Sequence, residues 1–413
     1  MFRLGALAPF RHRSFRFQWP ADCATSWAFE METIILGWYV LVETNSVLLL
    51  TLYGALIYGG TLVAPLFGLA SDRIGHRVLL SGMRTLYAAV ACTLTVLVFA
   101  GLLNPVIVLC LAAVSGIARS SDMGLRGALI ADSVPPEALT ASLGIGRTTA
   151  DVARIAGALS GAALFAALGM GPAFVAITLF YAVGACFTWQ VRRPASMPPP
   201  APVVRASPWG ELREGLAYVW NTPRLLALVW FAFLVNFAVF PLTNGLLPYV
   251  AREIYSVGQT GLGYLVASVA FGALVGSVAM TRSGIRIGLP RLMLAGSVIW
   301  HILVLGYAQM QSLAWGVTAL FLCGVAQSVT MVPHTVLLLR GASERFRGRV
   351  MGVRMLAIYS LPLGLLLSGV LIPLIGFHAT ASLYALTGLA FTAVIGLRWR
   401  AALWQARGAE DSV

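Results

Sequence analysis

Long apolar stretches make up most of this chain, and short polar breaks separate them. Most stretches run for about 20 residues or more, the length that an α-helix needs to cross the core of a bilayer. Charged residues, glycines and prolines mark the breaks. The pattern predicts twelve membrane-spanning helices, near residues 16–42, 47–70, 79–101, 105–131, 139–168, 172–191, 224–250, 259–281, 290–309, 313–339, 350–375 and 379–398.

The composition supports this interpretation. Hydrophobic residues make up 59% of the 413 residues and charged residues only 10%, whereas soluble domains carry about 25% charged residues. The net charge of +13 comes entirely from arginines, since the chain has no lysine. These arginines form short clusters between apolar stretches rather than one basic face, so we expect a lipid bilayer and no nucleic acid as the partner.

The distribution of arginines predicts the orientation in the membrane. They cluster in the amino-terminal leader, in alternate connections (with Arg84 beside the second) and in the carboxy-terminal tail, whereas the opposite side receives only Arg252. Because arginine is enriched in cytoplasmic loops, both termini are predicted to be cytoplasmic. We expect a multi-pass protein of the cell inner (plasma) membrane.

The chain divides into two halves around a linker. Residues 192–222 contain six of the twenty prolines, which predicts an extended segment followed by a short amphipathic helix from Pro208. Residues 1–191 and 223–413 then hold six spans each. The predicted fold is an all-α membrane protein of twelve transmembrane helices in two pseudo-symmetric six-helix bundles. Three residues recur with the same spacing in both halves, as Glu137, Arg147 and Gly157 and as Glu344, Arg354 and Gly364.

Two motifs carry a resemblance to a known family. The segment Gly68-Leu-Ala-Ser-Asp72-Arg73-Ile-Gly75-His-Arg77 closely resembles the signature of the major facilitator superfamily between spans two and three. The segment Arg345-Phe-Arg347-Gly348-Arg349 before span eleven is similar to that of the branch with the enterobactin exporter and related drug-efflux proteins. The resemblance implies a monomeric secondary transporter that rocks its halves around a central cavity without ATP.

The signature also has a physical interpretation. The carboxylate of Asp72 can meet the positive amino terminus of a partner helix, while Gly68 and Gly75 permit a tight turn and close backbone approach. Such contacts would form when the cytoplasmic side is closed and break when it opens. Alternatively, Arg73 and Arg77 only anchor the topology.

Two sets of charged residues lie inside predicted spans four and five. Each set follows one helical stripe, and charges in a membrane pair with one another or face water. One interpretation is a structural ladder in which the aspartates pair with arginines across spans four and five. The other leaves Arg119 or Arg154 facing the cavity to hold an anionic substrate group. The sets are Arg119, Asp122 and Arg126 in span four and Arg147, Asp151 and Arg154 in span five.

Span one carries a polar stripe that includes Asp22 and Glu30, while Glu32 points elsewhere. Glu30 lies about 22 Å into the span at 1.5 Å per residue, near the middle of the membrane. Burial there favours the protonated carboxyl, which suits a group that binds and releases a proton during transport. Proton coupling through Glu30 or Asp22 is one hypothesis; an ionised Glu30 paired with an arginine of span four or five is the alternative.

The second half is poorer in charge. Its candidate cavity residues are Asn236, His334 and Arg354. A lone histidine in an apolar helix is more often a hydrogen-bonded packing residue than a ligand, although His334 follows Pro333 and proline frees backbone groups. The aromatic residues of span seven could line a cavity or pack against lipid.

Gly157 and Gly161 in span five form a pair of small residues four apart, which predicts close helix contact. In proton-coupled drug exporters of the superfamily this region resembles GP-x-x-GG. The proline is missing here, because the run reads Ala156-Gly157-Ala158-Leu159-Ser160-Gly161. This departure leaves the direction of transport open.

The leading hypothesis is therefore a secondary transporter of a small organic solute, acting by alternating access as a proton-coupled exporter of a drug-like or siderophore-like substrate. The alternative is a proton-coupled uptake symporter of an anionic metabolite, and a third is a membrane receptor or scaffold without transport. We expect no enzyme, because no nucleophile–base pair or metal motif appears. We also expect no bound metal and no cofactor; the proton gradient is the expected driving force.

Overall fold

The structure is a computed structural model of a helical membrane protein. The residues it describes contain helices and no strand, and nine of their helical stretches are long and apolar enough to cross a membrane. The count of twelve spans in two bundles stays a prediction, because parts of the chain lie outside the residues that the structure describes. The described residues are 8–60, 67, 70–71, 73–192, 208–282 and 288–404.

The chain forms two compact units. One comprises Met1–Asn45, Leu56–Val204 and Gly258–Ala267, and the other Ser46–Ala55, Arg205–Val257 and Ser268–Val413. The boundary between the two units falls inside two helices, near residues 55 and 267. The division at 192–222 that the sequence predicts remains a prediction.

The first unit is built around its first helix. This helix, α1, packs against α4, α5 and α6, and α3 packs against α4 and α6. Pro105 begins α4 behind Asn104, whose side chain accepts a hydrogen bond from the Ile107 backbone at 2.9 Å, as is typical of a helix cap. The helices up to the linker are α1 (Arg13–Thr44), α2 (Val47–Gly59), α3 (His76–Phe99), α4 (Pro105–Ser133), α5 (Pro136–Leu168) and α6 (Met170–Gln190).

The second unit contains most of the remaining helices. Within it, α8 packs against α12 and α13, and α10 packs against α11 and α13. The helices from the linker onward are α7 (Pro208–Trp220), α8 (Pro223–Ala238), α9 (Gln259–Arg282), α10 (Leu289–Tyr307), α11 (Leu313–Gly341), α12 (Arg347–Ile358), α13 (Ser360–Arg398) and α14 (Arg400–Trp404).

The seventh predicted span, 224–250, is not one regular helix. After α8 the chain makes π-helical turns at Pro241–Gly245 and Val250–Ile254, with a short helix at Leu247–Tyr249 between them. Pro241 has no backbone N–H, and its ring would clash with the carbonyl four residues earlier in a regular helix. The span is apolar, as the sequence predicts, but it does not form one regular helix.

The predicted span 350–375 begins in α12 and continues into α13, which also contains the last predicted span, 379–398. At about 1.5 Å per residue the 39 residues of α13 would extend for nearly twice the thickness of a bilayer core. Gly376 interrupts the helical dihedral angles with a φ of 80°, a conformation that glycine adopts without steric cost. This break lies in the connection predicted between residues 375 and 379.

The glycine pair of α5 makes the close contact that its spacing predicts. A Cβ on Gly157 would lie 2.9 Å from both the Trp27 carbonyl oxygen and the Glu30 Cβ, and one on Gly161 would lie 2.9 Å from the Met31 Cα. Both glycines therefore let α5 lie directly against α1. In the second unit, Gly364 of α13 similarly meets the backbone of Phe237 on α8.

The linker helix α7 is held against the start of α12. Arg349 lies 2.6 Å from the Glu214 carboxylate, and a Cβ on Gly215 would lie 3.1 Å from the Arg349 Cβ. The Tyr218 ring stacks on the Phe346 ring, with the two ring centroids 4.2 Å apart. Arg349 of the second motif therefore holds α7 against α12 within the second unit.

The substitution Glu214→Gln is expected to loosen α7. An exposed ion pair contributes up to about 1 kcal/mol, so local opening should become up to about fivefold more frequent. Hydrogen exchange of the α7 backbone amides measures this change. Glu344→Gln is the control, because Glu344 is 91% exposed beside Arg347. Equal exchange in both variants would mean that the Arg349 contact does not hold α7.

Candidate functional site

Four charged residues from three helices meet inside the first unit. Arg84 of α3 has a fully buried side chain and donates hydrogen bonds to the Asp22 carboxylate of α1 and, at 2.5 Å, to the Thr188 hydroxyl of α6. Arg126 of α4 donates to Asp122 of its own helix at 2.6 Å. We call Asp22, Arg84, Asp122 and Arg126 the Asp22 cluster.

The second arginine ties this cluster together. The Nε atom of Arg126 lies 3.5 Å from the Asp22 carboxylate, and its Nη1 atom donates to the Ser26 hydroxyl at 2.9 Å. The cluster therefore balances two positive and two negative charges. Such balance is needed because an uncompensated buried charge is strongly destabilising.

A second group of polar residues surrounds Glu32 of α1. Arg119 of α4 donates a hydrogen bond to the Glu32 carboxylate at 3.0 Å and another to the Tyr181 hydroxyl of α6 at 2.9 Å. That hydroxyl in turn donates to Glu32 at 2.5 Å. The Arg119 guanidinium also lies over the Phe29 ring, 3.0 Å from its centroid. We call Glu32, Arg119, Tyr181 and Phe29 the Glu32 cluster.

Glu30 and Arg154 form a third and more open contact, between α1 and α5. The Arg154 Nε atom lies 3.4 Å from the Glu30 carboxylate, and the two side chains are 41% and 17% exposed. Of these three groups, this one holds its carboxylate through a single, partly exposed arginine contact. The Glu30 carboxylate thus lies against an arginine of predicted span five, while its charge state stays a prediction.

The predicted ladder across spans four and five is wrong. Asp122 bonds to Arg126 of its own helix, and Asp151 lies 3.4 Å from Arg147, also of its own helix. Arg119 and Arg154 instead reach carboxylates of α1. Because α4 and α5 both pack against α1, the acidic residues of that helix are the partners within reach. Both arginines have a carboxylate partner, and the alternative that Arg119 or Arg154 faces the cavity to hold an anionic substrate group stays a prediction.

Sequence reasoning missed Arg84, Tyr181 and Thr188 as site residues. Arg84 was counted with the arginines beside a connection, whereas the structure buries it at the centre of the Asp22 cluster. A signal was available, because Arg84 lies inside the predicted span 79–101. The tyrosine and the threonine carried no such signal, since both residue types are ordinary in apolar helices.

The signature motif is only partly within the described residues. Gly68 and Asp72 lie outside them, so the gating contact of Asp72 stays a prediction. Arg73 is exposed, and Gly75 precedes α3 with a φ of 87°. Arg77 donates a hydrogen bond to the Val191 carbonyl at 3.3 Å.

In the second unit the candidate residues Asn236, His334 and Arg354 lie on α8, α11 and α12. Asn236 donates to the Ala232 carbonyl of its own helix at 2.8 Å. The Nε2 atom of His334 lies 2.9 Å from the Leu228 carbonyl, which agrees with a packing role. Arg354 is half-buried on α12. The candidate charged site of the described residues therefore belongs to the first unit.

Solved structures with this fold are membrane transporters. The nucleoside transporter NupG matches with a TM-score of 0.74 and 13% identity over 94% of this chain and 99% of NupG. The POT family transporter PepTSo matches with a TM-score of 0.77 and 12% identity over 95% of this chain and 99% of that chain. At such identities the likeness shows the fold alone. The chain therefore shares the fold of these two transporters.

The particular family follows from the sequence profile of the Transmembrane secretion effector family, which matches residues 4–412. The chain belongs to this family of the major facilitator superfamily.

A curated relative is the multidrug efflux pump Tap of Mycobacterium tuberculosis, which is 31% identical over 193 residues. The match covers 45% of this chain and 44% of Tap. The chain thus spans less than half the length of the curated relatives that it matches.

Proposed function

We propose that this protein is a secondary transporter that exports a small organic solute in exchange for protons. The family supports transport, and the partial likeness to a multidrug efflux pump favours export. Twelve spans in two six-helix bundles would alternate access to a central cavity. Both termini would lie in the cytoplasm, and the protein would act as a monomer in the inner membrane without a bound cofactor.

The contact between Glu30 and Arg154 carries the proton-coupling part of the proposal. A carboxylate can take up a proton at low cost only if it gives up little stabilisation on losing its charge. Glu30 has one arginine contact, at 3.4 Å, to a side chain that is 41% exposed. Protonation of Glu30 would release Arg154, and deprotonation would restore the pair.

The other two carboxylates of α1 are less suited to this role. Asp22 lies against two arginines, Arg84 and Arg126, and its side chain is only 4% exposed. Glu32 accepts hydrogen bonds from both Arg119 and Tyr181. Protonation of either would sacrifice several charge-assisted bonds in a dry environment. Of the two candidates that the sequence offered, we therefore favour Glu30 over Asp22.

The substitution Glu30→Gln is expected to abolish proton-driven transport. Glutamine keeps the size and polarity of the side chain but cannot exchange a proton. A growth-inhibition panel in cells that overproduce the protein identifies a probe compound, and its uptake into everted vesicles is then driven by an imposed pH gradient. We expect uptake in the variant to fall to that of vesicles lacking the protein, while counterflow of the probe persists.

Asp151→Asn is the matched control, because Asp151 also faces an arginine of α5 but that arginine side chain is 69% exposed. This variant should keep proton-driven uptake. Full proton-driven uptake in Glu30→Gln would remove Glu30 from the coupling role. Proton and probe moving in the same direction would instead indicate uptake by symport, the alternative that the sequence leaves open.

A further inference from the structure

Tyr87 of α3 lies between the Asp22 cluster and the Glu32 cluster. It follows Arg84 by one helical turn, and its side chain is 4% exposed. Its ring packs against that of Tyr181 with centroids 5.7 Å apart. The Tyr87 hydroxyl is buried and finds no hydrogen-bond partner among the described residues.

Three further buried atoms of the Asp22 cluster share this property: Arg84 Nε, Asp122 Oδ1 and Arg126 Nε. The Arg84 Nε and the Asp122 Oδ1 atoms are 4.0 Å apart, which is too far for a direct hydrogen bond. Neither has a hydrogen-bond partner within the described ranges. Tyr87 follows Arg84 by three residues on α3, so the two side chains lie on the same face of that helix.

The three groups have complementary hydrogen-bonding capacities. The arginine N–H can only donate, the ionised carboxylate can only accept, and the tyrosine hydroxyl can do either. Buried polar atoms are almost always paired, and internal water molecules make about three hydrogen bonds to such otherwise unpaired groups. A water molecule could accept from Arg84, donate to Asp122 and exchange a hydrogen bond with Tyr87.

We propose that Tyr87, Arg84 and Asp122 bind an internal water molecule at the boundary between the two clusters. The water gives the Arg84 Nε and Asp122 Oδ1 atoms a hydrogen-bond partner, and Tyr87 connects it to the Tyr181 ring of the Glu32 cluster. The site itself does not depend on the proposed direction of transport or on the coupling ion. The charged and titratable groups around Tyr87 are Arg84, Arg119, Asp122, Arg126 and Tyr181.

Radiolytic footprinting of the purified full-length protein tests this site, because short X-ray pulses convert bound water into hydroxyl radicals that label adjacent side chains. We expect Tyr87 to be labelled much faster than Phe174, a fully buried aromatic residue of the same unit. The substitution Tyr87→Phe should remove one ligand of the water and lower labelling at position 87 towards that of Phe174.

Labelling of Tyr87 no faster than that of Phe174 would show that the interior is dry and would overturn the proposal. Undiminished labelling at position 87 in Tyr87→Phe would also overturn it, because the hydroxyl would then not be a ligand. Since footprinting needs no substrate and no proton gradient, a failure of the proposed transport function would leave this result unaffected.

Discussion

Replacing Arg84 with methionine should lower the free energy of unfolding by about 3–5 kcal/mol, the typical cost of breaking a buried ion pair. The variant would leave Asp22 and Asp122 buried with only Arg126 to balance them. It would also remove the donor to the Thr188 hydroxyl. The melting temperature in detergent, followed by scanning fluorimetry, should therefore fall by many degrees.

Arg147→Met provides the control for this experiment. Arg147 also has an aspartate partner, Asp151 of its own helix, but its side chain is 69% exposed. Such a pair contributes about 0–1 kcal/mol, so its loss should hardly change the melting temperature. The double variant Asp22→Asn, Arg84→Met should recover part of the lost stability, because it removes one of the uncompensated negative charges. Equal melting of the two single variants would mean that the Asp22 cluster does not stabilise the first unit.

The second large effect is expected at Gly272 of α9. A Cβ at this position would overlap the Phe321 carbonyl oxygen of α11, and one on Gly324 of α11 would overlap the Val269 carbonyl of α9. Because these obstacles are backbone atoms, the two helices would have to separate. Overpacking of this kind costs about 1–3 kcal/mol, so Gly272→Ala should lower the melting temperature.

The matched control, Gly352→Ala, is expected to change the melting temperature in the opposite direction. Gly352 is exposed in the interior of α12, and a Cβ there would meet no atom within 4 Å. Alanine is favoured over glycine in a helix by about 0.8–1.0 kcal/mol. Gly352→Ala should therefore raise the melting temperature slightly. A rise in both variants would show that α9 and α11 are not in backbone contact.

Hydropathy predicted the position of most helices well, because it depends on residues that are close in sequence. The predicted fourth span, 105–131, corresponds to α4 (Pro105–Ser133), and the helix predicted from Pro208 begins at that residue. The exception is the seventh span, where Pro241 disturbs the helix without making it less apolar. Glycine spacing in α5 also predicted a close helix contact, although not that α1 is the partner.

The partners of the intramembrane charges were less predictable. Helical periodicity placed Asp22 and Glu30 of α1 together on one stripe and separated Glu32 from them. It could not indicate which neighbouring helix each stripe faces, because that depends on how the helices rotate and pack. For this reason the ladder across spans four and five was wrong, and Arg84 was assigned to topology although it is the most buried arginine of the Asp22 cluster.

By itself, then, the sequence determined that this chain is a helical membrane protein with acidic and basic residues inside its spans, because burial of apolar surface in a bilayer is governed by local composition. The tertiary structure alone decided how those charges pair. Asp22 and Arg84 are 62 residues apart in sequence, and they meet only because α1 packs in the interior of the first unit. Electrostatic pairing depends on distances of a few ångströms between helices, which no pattern along a single helix contains.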